Sequence, residues 1–140
     1  MKFLLEIITP ERKAFSEEVD MVVAPTLDGT IGVLARHVPL FTSITEGEVK
    51  IVTGNQEYFL AIGGGFMQVT KQKVTILVTR AVYADELNEA EIEKAEKAAK
   101  ELISRVEKGE ERQSAQAVLR RSVLEMKVLR HRRNRSSVIN

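Results

Sequence analysis

His37 and His131 are the only imidazoles in the chain, and there is no cysteine. Disulfides, thiolate nucleophiles and thiolate metal sites are therefore excluded, and hydrolytic chemistry is left short of its usual groups. His37 stands in Leu34-Ala35-Arg36-His37-Val38-Pro39-Leu40. A lone loop histidine without a neighbouring nucleophile or orienting carboxylate reads as a hydrogen-bonding or interface residue, not as a general base. Gly63-Gly64-Gly65 could cradle a phosphate only if a helix N-terminus followed, usually with a Lys-Ser/Thr pair, and a β-like run follows instead. Close backbone approach or a β-bulge is the better account of the three glycines. Glu17-Glu18 and the pair Glu46, Glu48 carry the carboxylates that acid–base work needs, but their spacing places no two of them across a pocket. The inventory points away from catalysis and towards a binding module.

The elements that would position such a module follow from composition. The chain has 140 residues, 44% hydrophobic and 29% charged, with a net charge of +1, so it is expected to fold around one modest core or as a compact domain with an appendage. Met1-Lys2-Phe3-Leu4-Leu5-Glu6 reaches an acid too early for a signal peptide, and the expectation is a soluble chain without an export signal. The seven aromatics (Phe3, Phe15, Phe41, Tyr58, Phe59, Phe66, Tyr83), the three prolines and every glycine but Gly109 lie before residue 84. Beyond it, Ala, Glu, Lys, Arg, Leu and Gln dominate, which are good helix formers. We expect two domains, residues 1–84 and 85–140.

Short runs rich in Val, Ile, Phe, Thr and Leu (3–9, 19–24, 31–34, 49–53, 58–62, 66–70, 74–79) alternate with turn signals such as Leu27-Asp28-Gly29 and Gly54-Asn55. The spacing predicts an antiparallel β-sandwich, with the aromatics needed for its core. Residues 88–106 predict an amphipathic helix with Ile92, Ala95, Ala99, Leu102 and Val106 on one stripe. Asn88 with Glu91 forms a potential capping box, and Leu87 with Ile92 a potential hydrophobic staple. A second helix is predicted over about 113–133, with Ala115, Leu119, Ser122, Met126 and Leu129 in register, so that the C-terminal part is a two-helix hairpin. Its alanine-rich contact faces bury little apolar area, which makes it marginal alone.

Charge divides along the hairpin. Residues 85–111 hold ten acids against five bases, whereas residues 117–140 hold seven bases against Glu125. The second helix therefore suits an acidic neighbour, either the first helix or an acidic segment of another protein. A nucleic-acid-binding module is disfavoured by the near-neutral total charge and by the lack of aromatics among these bases. A small-ligand β-sandwich would need a concave apolar site beyond what the core aromatics leave.

Asp28-Gly29-Thr30-Ile31-Gly32-Val33-Leu34, followed by His37, Pro39, Leu40 and Gly47, resembles the signature of the epsilon subunit of bacterial rotary ATP synthases. Gly64-Gly65-Phe66 with Val69 and Val74-Thr75-Ile76-Leu77 resembles that family's second block, and the order matches along the whole chain. Ala35-Arg36 departs from the Pro-Gly usual before the histidine. The resemblance implies a β-sandwich followed by two helices, and a non-catalytic, cofactor-free rotor subunit of the central stalk. Such a subunit couples ion-driven rotation of the membrane c-ring to ATP synthesis, at the cytoplasmic face of the bacterial membrane, where it is peripheral and held only through the complex.

By position, the resemblance implies a c-ring contact at Asp28, Gly29, Thr30 and Ile31 and a gamma-subunit contact at His37, Leu40 and Thr42. It implies that the helices switch between a compact hairpin and an extended state that inhibits ATP hydrolysis. Arg120, Arg121, Lys127 and Arg130 would then meet acidic segments of the alpha and beta catalytic subunits. Some members bind ATP through Ile/Leu-Asp-x-x-Arg-Ala. The matching positions here are Leu87, Asn88, Glu91 and Ile92, where a carboxylate replaces the phosphate-pairing cation, so weak or absent ATP binding is expected.

Overall fold

A computed structural model describes the backbone of residues 1–139 and the side chains of residues 1–133. The chain divides into two compact units, Met1–Tyr83 and Ala84–Asn140. The first unit is built from ten strands: β1 Phe3–Ile8, β2 Lys13–Val19, β3 Met21–Thr26, β4 Gly29–Leu34, β5 Leu40–Ile44, β6 Gly47–Thr53, β7 Gln56–Ile62, β8 Gly65–Val69, β9 Lys73–Val78 and β10 Ala81–Tyr83. They run in the order β10-β7-β6-β3-β5-β8-β9-β1-β2, with β4 on the other edge of β3.

The ladder is continuous but closes on itself as a sandwich, because β3 serves both halves. Met21–Val23 pair with β6, whereas Thr26 alone pairs with Ile44 of β5. Alternate residues of the two layers turn inwards, and Leu5, Ile7, Ile51, Leu60, Ile62, Met67 and Ile76 are fully buried between them. One pairing departs from the antiparallel expectation: β1 and β9 run parallel, with Ile7 beside Ile76. These strands lie far apart in sequence, so no hairpin forces their direction.

Three strands escape the run of apolar residues in the sequence. In β2 only Phe15 and Val19 are buried, and Ser16-Glu17-Glu18 face solvent, as suits the edge strand that it is. β5 has a single buried residue, Ile44, and β10 is only three residues long. The glycine cluster is explained by close backbone approach: a β-carbon on Gly65 would lie 1.8 Å from the Leu77 carbonyl oxygen.

The second unit opens with a 3-10 turn, Ala84–Glu86, followed by α1 (Glu89–Arg105) and α2 (Glu110–Ile139). Asn88 caps α1, its Oδ1 accepting from the Glu91 amide at 3.1 Å. Helix α2 starts earlier than the periodicity suggested, directly after Gly109, whose carbonyl accepts the first helical bond from Gln113 at 3.1 Å. Glu110 and Glu111 then lie where the helix dipole favours acids. It also runs past residue 133, because no proline or glycine follows Gly109. Among the described residues, no helix is long and apolar enough to cross a membrane.

Candidate interaction surfaces

The β3–β4 hairpin presents a two-residue tip. Thr26 shapes it, its hydroxyl donating to the Gly29 carbonyl at 2.5 Å and accepting from the Asp28 amide at 3.2 Å. Gly29 has φ +116°, a conformation that a β-carbon would oppose. Asp28, Gly29 and Thr30 are exposed, but Ile31 is half-buried and packs on the core. The exposed apolar side chain of the tip is instead Leu27, 74% accessible. Its signal was available: it is the residue before Asp-Gly in a two-residue turn, where no strand face can cover it.

The β4–β5 loop carries His37, half-buried and fixed by two bonds. Its amide donates to the Leu34 carbonyl at 3.3 Å, and its ring Nδ1 lies 2.8 Å from the Val38 carbonyl oxygen. Leu40 and Thr42 follow on the inward face of β5, half-buried, with Leu40 packed against the core. The outward face holds Phe41, 68% exposed, stacked on Phe66 of β8 at a centroid distance of 5.6 Å and an interplanar angle of 17°. This corrects the expectation that the aromatics belong to the core. Phe66 is 50% exposed, and alternation shows why: Met67 and Val69 fill the interior, so Phe66 must turn out.

Strand register extends this pair into a stripe. Phe66 stands opposite Leu77, itself 49% exposed, and Leu77 stands beside Ile8. A groove of about 420 Å³ follows the same line, bordered by Ile8, Pro10, Gly65, Phe66 and Leu77. Beside it, Glu6 is held between Lys13 and Lys73, each Nζ 3.0 Å from a carboxylate oxygen. The hydrogen bond from Lys13, then that from Lys73, draws the Glu6 pKa below the ordinary carboxylate value. An apolar stripe on an outer sheet face, flanked by charge, has the make-up of a protein contact.

Within the second unit, Arg120, Arg121, Lys127 and Arg130 are all exposed. At about 100° per residue, Arg120, Val123, Lys127 and Arg130 share one face, while Arg121 lies away from it, on the side of the helix opposite Arg130. Val123, 52% accessible, is the apolar member of that face. Further along the helix, Arg132 pairs with Asp85, and Arg133 with Glu89. Arg133 in turn lowers the Glu89 pKa, first through their hydrogen bond. Of the ATP-motif positions, Asn88 is occupied as the cap, Ile92 is buried, Leu87 is half-buried and Glu91 is exposed. Sequence reading missed Arg112, whose Nη1 donates to the Ile103 and Val106 carbonyls at 2.5 and 2.7 Å and so closes the end of α1.

Residues 2–84 match the family described as ATP synthase, Delta/Epsilon chain, beta-sandwich domain. An ATP synthase epsilon chain of Herpetosiphon aurantiacus is 42% identical over 135 residues, covering 96% of this chain and 99% of that one. One of Dehalococcoides mccartyi is 38% identical over 138 residues, covering 98% and 99%. Among solved structures, a chain of the Euglena gracilis mitochondrial ATP synthase shares the fold with a TM-score of 0.68 at 20% identity, covering 92% of this chain and 78% of that one.

Proposed function

Because the chain belongs to the ATP synthase epsilon-chain family, we propose that it is a non-catalytic central-stalk subunit whose β unit joins gamma to the c-ring and whose helices restrain ATP hydrolysis. The observation that carries the assembly role is the outer-face stripe of exposed Phe41, Phe66 and Leu77, continued by half-buried Ile8. Solvent-facing aromatics on a sheet are disfavoured unless something covers them, and gamma is the occupant that the family supplies. On this reading His37, Leu40 and Thr42 fix the loop and strand that present Phe41 to gamma. Asp28, Gly29, Thr30 and Ile31, with Leu27 at their head, face the c-ring.

The regulatory role is supported by the exposed cationic face of α2. In the extended state Arg120, Arg121, Lys127 and Arg130 meet acidic segments of the alpha and beta subunits. The protein would be held peripherally at the cytoplasmic face of the membrane through these partners. The test of assembly is co-purification with a matched alpha–beta–gamma complex. Phe41→Ser with Phe66→Ser should release the chain while leaving its own thermal unfolding nearly unchanged. Retention of the double variant at wild-type affinity would remove the stripe from the interface.

A further inference from the structure

Arg36 holds a backbone conformation that its side chain disfavours. It is the third residue of the turn Leu34-Ala35-Arg36-His37, closed by the His37 amide on the Leu34 carbonyl, and its φ of +65° is the only positive value at a non-glycine position among the described residues. A turn with positive φ at its third position ordinarily takes glycine. The guanidinium offers no local compensation: it is exposed, and no hydrogen bond or ion pair ties it to another described residue. On either side stand Leu34 and Val38, 59% and 71% exposed. The two bonds of His37 hold the loop in this shape, with an exposed cation flanked in the chain by two exposed aliphatic residues.

Strain retained without an internal return points to an external contact. We propose that Arg36 is a specificity contact to a carboxylate of the gamma subunit, set in an apolar surface that covers Leu34 and Val38. This rests on the assembly reading above. Gamma is favoured over the c-ring because the loop and the Leu27-Asp28 tip lie at opposite ends of β4, whose six residues separate them by roughly 17 Å. An acidic partner group is required because a desolvated guanidinium needs a charged acceptor, and a carboxylate matches its planar fork.

The test is titration of the full-length chain onto an alpha–beta–gamma complex lacking the c-ring, at low and high salt, alongside thermal unfolding of the free chain. Arg36→Gly should melt higher than wild type yet bind about tenfold more weakly at low salt. Arg36→Ala keeps the unfavourable φ and should lose as much affinity, whereas Arg36→Lys should keep most of it. The differences should shrink as salt screens the pair. Arg36→Gly binding as tightly as wild type would overturn the inference, as would a loss confined to Arg36→Ala. Failure of the wild-type chain to bind would overturn the assembly reading with it. Release by the Phe41 and Phe66 substitutions, with Arg36→Gly still bound at full strength, would overturn the arginine contact alone.

Discussion

Glu6 shows how a single side chain on an outer sheet face ties stability to pH. Its carboxylate lies between Lys13 and Lys73 and its pKa is lowered. A carboxylate depressed in the folded state contributes stability that is fully present above its unfolded pKa of about 4.3, and that contribution is lost as pH falls through the folded value. Urea midpoints should therefore fall as pH drops below about 4, and Glu6→Gln should flatten that part of the curve. The glycines are equally individual. Gly65→Ala should cost at least about 2 kcal/mol in denaturant titration, because its β-carbon meets backbone, whereas Gly64→Ala, with its nearest atom 3.4 Å away, should stay within about 1 kcal/mol. Arg36→Gly should stabilise the free chain by about 1 kcal/mol. Sequence alone exposed the departure at Ala35-Arg36, but the positive φ became visible only with the turn. The fate of the aromatics was misread for a related reason: aromatic character says that a ring wants cover, and only strand register says whether the chain itself provides it.

Elements were most legible where local chemistry and tertiary packing agree. Helix α1 has its cap, its Ile92 stripe and the Glu96–Lys100 pair at 3.1 Å, all of which depend on spacing within one segment. Strands β2 and β5 were missed because few of their residues are buried: β2 takes its place from the ladder with β1, and β5 from the ladder with β8. The grip of Arg112 on α1 was invisible too, since it joins residues across a turn that sequence could not draw. It satisfies two carbonyls at the negative end of the helix dipole, so Arg112→Ala should weaken the last turn of α1 by about 1 kcal/mol. Amide hydrogen exchange should show the loss at residues 102–106, leaving the capped start of α1 protected. Equal loss at both ends would mean that the arginine stabilises the helix as a whole.

Two units with different physics make up the molecule. The sandwich has a continuous apolar core formed by residues of the first unit alone, and its outer face carries apolar area that it does not cover itself. The helical unit is thinly packed, with a groove of about 300 Å³ lined by Ala95, Ala98, Ala99, Leu102, Ala115 and Val118, and ion pairs at Asp85–Arg132 and Glu89–Arg133. The proposed change of partners requires a hairpin that loses little apolar area when it opens, and alanine-rich contact faces meet that requirement. The family and the order of elements were legible because the glycine-bearing turns and the β-to-helix change of composition lie in the sequence itself. Which side chains stand exposed was only partly so, because that depends on which face each strand turns outwards. The most direct test of a β unit that assembles and helices that regulate is ATP hydrolysis by a matched alpha–beta–gamma complex. Full-length chain and a chain ending at residue 84 would be added in turn, with binding of each measured in parallel. Both should bind and only the full-length chain should slow hydrolysis; binding of both with equal rates of hydrolysis would mean that the helices do not regulate.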